Sequence, residues 1–282
     1  MTVKIALMGA GGKMGCRITD NMKALSDYQI AYVEVGEVGV ERLKTRGVTP
    51  TPQADALASA EVVILAVPDA LIQRITDEIV PKLQPGTLVI GLDPAAAYAE
   101  VMPIRADLTY FVAHPCHPPL FHDETTPAAR TDWFGGVHAK QHIVCALHHG
   151  DESKYAMGEA IARAMYAPVM NAYRVTVEQM AILEPALVET FTATLITGMK
   201  QALDRAIEMG VPEEAAREFM FGHIRIELAI IFDIAGFPFS DGAKMAVAQA
   251  YDKIFKPDWQ DQIMNLDALK QSVANITHKV GK

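Results

Sequence analysis

The stretch Gly9-Ala10-Gly11-Gly12-Lys13-Met14-Gly15-Cys16-Arg17 decides the fold. It follows the apolar run Val3-Lys4-Ile5-Ala6-Leu7-Met8 and leads into a helical pattern from Ile18 to Leu25. A strand, a tight glycine turn and a helix make the phosphate-binding corner of a dinucleotide fold. Glycines let the backbone turn sharply and approach a pyrophosphate, and the helix N-terminus offers it unpaired N–H groups. The spacing departs from the standard G-x-G-x-x-G. It reads G-x-x-G-x-x-G through Gly9, Gly12 and Gly15, or G-x-G-x-x-x-G through Gly11. Which of Gly11 and Gly12 meets the pyrophosphate stays open, and a glycine cluster alone is weak evidence. The weight comes from what surrounds it.

The surroundings alternate between strand and helix. Gln29–Val35 reads as a second strand, and Glu61–Val67 as a strand buried on both faces. Pro68-Asp69 stops the latter, and Leu71–Lys82 is an amphipathic helix. Strands are expected at Thr87–Leu92, Leu108–Ala113, Gln141–Leu147 and Val169–Val175, with a helix at Ser153–Tyr166. This order predicts an α/β protein with an N-terminal Rossmann-like doubly wound sheet. From Val177 onward turn signals thin out and helical periodicity takes over, so the C-terminal part is expected to be all helical. The division predicted is a dinucleotide-binding domain over 1–176 and a helical substrate and dimerisation domain over 177–282.

Composition narrows the class. A chain of 282 residues, half hydrophobic and 21% charged, has ample core for two domains. A net charge of −9 argues against a general nucleic-acid binder. No run reaches the roughly 20 uninterrupted apolar residues of a membrane span, and because a strand begins almost at once no signal peptide is expected. Cys16, Cys116 and Cys145 lack metal-site spacing. They read as reduced thiols of a cytoplasmic protein.

The candidate cofactor residues are Gly9, Ala10, Gly11, Gly12, Lys13, Met14 and Gly15, with Glu34, Pro68 and Asp69. An acid at the end of the second strand accepts from the adenosine ribose and repels a 2′-phosphate, so Glu34 favours NAD over NADP. Glu37 competes for that role, and a solvent-facing strand-end acid is the bland alternative. Pro68 and Asp69 stand where open sheets bind ligands, although Asp69 also suits an ordinary N-cap.

The chemistry gathers in two places. His114 ends a strand at the same sheet edge, and His117, His122, Asp123 and Glu124 follow in an irregular segment rich in Pro, His, Thr and Gly. Such a cluster suits a divalent metal or proton transfer, with a structural strand-end histidine as the competing reading. Glu184 lies in an apolar helical stretch just before Pro185, which removes a backbone hydrogen bond and is expected to bend the helix. A carboxylate there needs a cation, a metal or a proton unless it is simply exposed. Weaker candidates are His223, Arg225, Glu227 and Asp233 within the otherwise apolar Phe219–Ala235, and Lys140 beside the histidine loop. His148 and His149 read as solvated.

The N-terminal half resembles the dinucleotide domain of the 6-phosphogluconate and 3-hydroxyacid dehydrogenase superfamily. Gly12-Lys13-Met14-Gly15 is also similar to prephenate dehydrogenase and dihydrodipicolinate reductase. With Ala113-His114-Pro115-Cys116-His117-Pro118 and Ala181-Ile182-Leu183-Glu184-Pro185-Ala186, the whole chain resembles the D-apionate oxidoisomerase family. That resemblance implies His114 and Glu184 as ligands of a divalent metal, zinc or similar. It also implies NAD-dependent oxidation of D-apionate, with rearrangement to 3-oxo-isoapionate. His114, Glu184 and His117 are then the expected catalytic residues. One feature departs from the wider superfamily: the interdomain helix has no lysine before Lys200, so lysine-assisted oxidation is in doubt. A metal polarising a hydroxyl and its neighbouring carbonyl would replace it. Ketol-acid reductoisomerase offers an analogy. The alternatives are a plain 3-hydroxyacid or prephenate-type dehydrogenase, and a non-catalytic NAD-sensing protein. The expected partners are a small sugar acid and a second copy of the chain, since long apolar helices such as Ile224–Ile234 bury best against a partner.

Overall fold

The computed structural model describes residues 2–278. Its first half is β1 (Val3–Met8), α1 (Lys13–Met22), β2 (Tyr28–Val33), α2 (Glu37–Thr45), α3 (Gln53–Ala58), β3 (Val62–Leu65) and α4 (Asp69–Ile79). Then come β4 (Leu88–Gly91), α5 (Ala95–Tyr98), β5 (Thr109–Pro115), α6 (Pro127–Arg130), β6 (Gln141–His149), α7 (Tyr155–Met165) and β7 (Val169–Arg174). The strands form one seven-stranded sheet in the order β2-β1-β3-β4-β5-β6-β7. Strands β1 to β5 are parallel, β6 pairs antiparallel with β5, and β7 runs parallel to β6. Chain order reverses direction at β1, with β2 on one side and β3 on the other. That switch point is where an open sheet binds a ligand, at the carboxyl ends of the strands.

The sheet is hydrophobic on both faces because helices cover both. On one face Ala6, Val63, Val89, Val112 and Ala146 pack with Ile72, Ile79, Val177 and Met180. On the other, Ile5, Leu7, Ile64, Ile90, Phe111 and Cys145 pack with Ile18, Met22, Ile161 and Met165. Strands β3 and β4 are buried at every residue, as their continuous apolar runs require. The glycine turn is pinned from behind: the N–H groups of Gly9 and Ala10 both donate to Val33 O, at 3.0 and 3.1 Å. Gly9 has φ +73°, and a Cβ on Gly15 would collide with the Gly9 carbonyl and stand 2.7 Å from Ala10. The helix α1 can approach β1 that closely only without side chains there.

The helical half begins with α8 (Val177–Ala181), continues as a π-helical segment over Ile182–Thr192 and then as α9 (Ala193–Glu208). The chain thus continues through Pro185 as a wider helix. With no N–H at Pro185, the chain shifts to wider-ring bonding, a device common at functional sites. The hydroxyls of Thr190 and Thr192 bond back to Pro185 O and Leu187 O at 2.7 and 2.8 Å. The remaining helices are α10 (Glu213–Ile231), α11 (Asp241–Ile254), α12 (Trp259–Ile263) and α13 (Leu266–His278).

The chain divides into two compact units. One runs through Glu184 and takes back the chain from Lys270, and the other is Pro185–Leu269. The division expected at 176/177 thus falls early, because Val177 and Met180 are core residues of the first unit. Within Val177–Glu208 an 18-residue stretch of mean hydropathy 1.3 is apolar enough, by length and composition, to cross a membrane. His148 lies in β6, where burial holds its imidazole below the usual histidine range, so it is not the solvated residue expected.

Candidate active site

A cleft of about 410 Å³ opens at the carboxyl ends of β1, β3, β4 and β5. Gly12, Lys13 and Met14 line it from the glycine turn, Pro68 and Asp69 from the end of β3, and Asp93, His114 and His117 from the far side. Gly9, Ala10, Gly11 and Gly15 do not front this cleft. Ala10 is wholly buried, and a Cβ on Gly11 would strike Gly39 of α2. Gly12, the N-cap of α1, is the glycine that faces the cavity. Of the open pair, Gly11 is committed to packing and Gly12 is available to a pyrophosphate.

Glu34 follows β2 and folds back on the turn. Its Oε2 accepts the Gly11 N–H at 2.9 Å, and its Oε1 accepts those of Val35 and Gly36 at 2.9 and 3.0 Å. A carboxylate has about four acceptor sites, so one remains for a ribose hydroxyl. Glu37 begins α2 and is exposed.

His114 and Glu184 meet. The His114 Nε2 lies 3.8 Å from Glu184 Oε1, and both side chains are largely buried. Asp93 joins them: the ligand atoms of Asp93, His114 and Glu184 all lie within 4.8 Å of one another. Two local facts bring them together. Strands β4 and β5 are parallel, with Gly91 opposite Val112, so Asp93 and His114 leave neighbouring strands at one level. Helix α8 packs on β6 and α5 and is anchored by Val177 and Met180, which carries Glu184 to the same edge.

Each donor is held. His114 Nδ1 bonds Leu92 O at 2.9 Å. A carbonyl can only accept, so Nδ1 carries the proton and Nε2 presents its lone pair to the carboxylates. Burial pushes the His114 imidazole below the usual histidine range, His117 adds to this, and Asp93 and the Leu92 bond oppose it. One nitrogen and two carboxylates, clustered and largely dehydrated, suit a divalent cation. Asp93 was missed in the sequence. The signal was present: Leu92-Asp93-Pro94 pairs an acid with a proline at a strand's carboxyl end, as Val67-Pro68-Asp69 does.

His117 lines the cleft with left-handed backbone, φ 61°. Its Nδ1 donates to Phe134 O at 2.9 Å, so Nε2 is the acceptor. Lys13 Nζ stands 3.8 Å over the Phe134 ring, and Arg17 lies 3.7 Å from Asp132. The segment between β5 and β6 is thereby tied to α1 and walls the cleft. His122 is exposed and accepts the Glu124 N–H, while Glu124 accepts the Lys140 N–H. Neither His122 nor Lys140 lines the cavity. In the other unit His223 donates to Phe219 O at 2.7 Å and stacks on the Phe219 ring. Arg225 and Glu227 lie on the same α10.

A glycine turn at a sheet switch point, with ionisable donors across the same cleft, defines a Rossmann-type oxidoreductase. Residues 4–93 match the family model described as NADP oxidoreductase, coenzyme F420-dependent. Residues 122–277 match the C-terminal domain of phosphogluconate dehydrogenase (decarboxylating). The chain is 48% identical over 278 residues to the D-apionate oxidoisomerase of Cupriavidus necator, covering 98% of this chain and all of that one. It is 49% identical to that of Rhizobium rhizogenes with the same coverage. A crystal structure of a semialdehyde dehydrogenase NAD-binding protein from Cupriavidus necator, in complex with calcium and NAD, is 48% identical. That match has a TM-score of 0.95 and covers 98% of this chain and all of that one. The chain belongs to the D-apionate oxidoisomerase family, and it is an enzyme.

Proposed function

We propose that this enzyme oxidises D-apionate with NAD as hydride acceptor and rearranges the product to 3-oxo-isoapionate. The observation that carries the reading is the approach of His114 to Glu184 beside the glycine-turn cleft. A plain hydroxyacid dehydrogenase of this superfamily resemblance would use a lysine, and among the described residues none lines this part of the cleft except Lys13 of the turn. His114 and Glu184 would instead hold a divalent metal. Bound there, the ion supplies Lewis acidity to a substrate hydroxyl and its neighbouring carbonyl, the pair of oxygens an α-ketol shift must keep together. The chain's own residues do the rest. Leu92 O fixes the His114 tautomer. His117 Nε2, with its proton held on Nδ1, is the group poised to accept a proton from a substrate hydroxyl. Gly12 and the first turn of α1 seat the pyrophosphate, and Glu34 takes a ribose hydroxyl through its remaining acceptor site.

The helical unit leaves Ile196, Phe219, Phe221, Ile231, Phe232 and Met245 exposed. Apolar surface on that scale marks an interaction site, and we read it as the face covered by a second copy in a cytoplasmic homodimer. No nucleic-acid or membrane partner is proposed.

The test is NADH formation from D-apionate with and without chelator, followed by NMR of product carbon connectivity. Chelator-sensitive turnover with a shifted carbon skeleton is expected. An unshifted skeleton identifies a plain dehydrogenase, and NAD binding without turnover identifies a sensor. Full activity in His114→Ala or Glu184→Ala removes the metal from the account.

A further inference from the structure

We infer that Asp93 is the third protein ligand of the metal site, and that the site is built for a hard divalent cation such as Mn²⁺ or Mg²⁺. The inference rests on the proposed metal role of His114 and Glu184 and extends it to a residue and an ion class. Three observations carry it. The first is distance: one carboxylate oxygen of Asp93 belongs to a set of donors that all lie within 4.8 Å of one another, close enough for one ion to bridge them. The second is rigidity. Asp93 Oδ1 accepts the Ala95 N–H at 2.7 Å, which fixes the carboxylate plane. Ala95, Ala96 and Ala97 are each 1% exposed, so the short helix α5 is packed into the core beside it. The third is shared construction. Leu92 O orients the His114 ring, and the next residue supplies the carboxylate, so one strand end sets two of the three donors.

The ion class follows from the donors. Two carboxylates and one imidazole are a predominantly oxygen set, and no thiolate belongs to it. Oxygen-rich sites suit Mg²⁺, Mn²⁺ and Ca²⁺, whereas sulfur and several imidazoles favour zinc. Six-coordinate ions held by three protein donors keep positions open for oxygens from elsewhere. A vicinal hydroxyl and carbonyl of a sugar acid would fill two of them.

The test measures Mn²⁺ binding directly, from the loss of the free-ion electron paramagnetic resonance signal on titration of the whole enzyme. Asp93→Asn keeps an oxygen for the Ala95 N–H and removes the charge. It should raise the Mn²⁺ dissociation constant by at least about tenfold, the loss seen even for residues that only support a ligand. Asp93→Glu should recover part of the affinity, and Mg²⁺ should compete with Mn²⁺. If the wild type binds Mn²⁺, His114→Ala does not, and Asp93→Asn binds as well as wild type, then Asp93 is no ligand and this inference alone fails. If only Zn²⁺ binds, the ion class is wrong. If the wild type binds no divalent ion, the metal reading falls with it.

Discussion

Replacing Glu34 by glutamine asks whether that residue builds the dinucleotide turn or only waits for a ribose. The carboxylate accepts three backbone N–H groups, two on Oε1 and that of Gly11 on Oε2. Glutamine has one acceptor oxygen. The lower-energy placement keeps the two bonds from Val35 and Gly36 and turns the amide nitrogen toward the Gly11 N–H, where two donors then face each other. A hydrogen bond to a charged group contributes about 1.5–3 kcal/mol, and an unsatisfied donor costs a similar amount. Gly11 N is only part-buried, so water recovers some of this, and a net loss of about 1–2 kcal/mol is expected. For a unit of this size that corresponds to a fall of roughly 2–8 °C in melting temperature. NAD affinity should fall in parallel by about tenfold, since about 1.4 kcal/mol of binding free energy is one decade. Differential scanning calorimetry and a fluorescence titration with NAD read the two effects separately. An unchanged melting temperature with weakened NAD binding would refute the argument that Glu34 holds the turn.

Three further outcomes follow from the same geometry. Gly15→Ala drives a methyl against the Gly9 carbonyl and Ala10. It should cost at least about 1–3 kcal/mol, the usual penalty of overpacking, visible as a lower urea midpoint; an unchanged midpoint would mean α1 can slide. Burial holds His148 below its ordinary value of 6.5, with His149 adding to this and Glu100 opposing. The unfolded chain therefore binds that proton more readily. The contribution is present above the ordinary histidine value and is lost as pH falls through the lower folded one. Urea midpoints should drop across acidic pH, and His148→Gln should flatten that slope. Phe232→Glu places a charge on a residue 67% exposed in the helical unit. If the proposed dimer uses this face, light scattering should report half the mass of the wild type; an unaltered mass would refute the proposal that this face holds a second copy.

Much of this fold was legible in the sequence because its signals are local. The buried strands announce themselves as unbroken apolar runs, since a parallel sheet covered on both faces has no polar side to alternate with. The glycine turn announces itself because close backbone approach excludes side chains, and Gly15 against Gly9 is that exclusion in atoms. At Pro185 the chain continues as a π-helical segment into α9. What misread was tertiary in origin. His148 and His149 look like a polar surface pair, but β6 continues through them and packs the first.

The same division runs through the site. Local patterns of residue type place a dinucleotide corner near the N-terminus and His114 at a strand's carboxyl end. The resemblance singled out Glu184. Long-range packing brings Asp93, His114 and Glu184 together, turns Gly12 and not Gly11 to the cleft, and commits most of the Glu34 acceptors to its own turn. Those facts depend on strand register and on helix α8 packing across β6. Such pairings join residues far apart in the chain, and no local pattern of residue types encodes the distance between them.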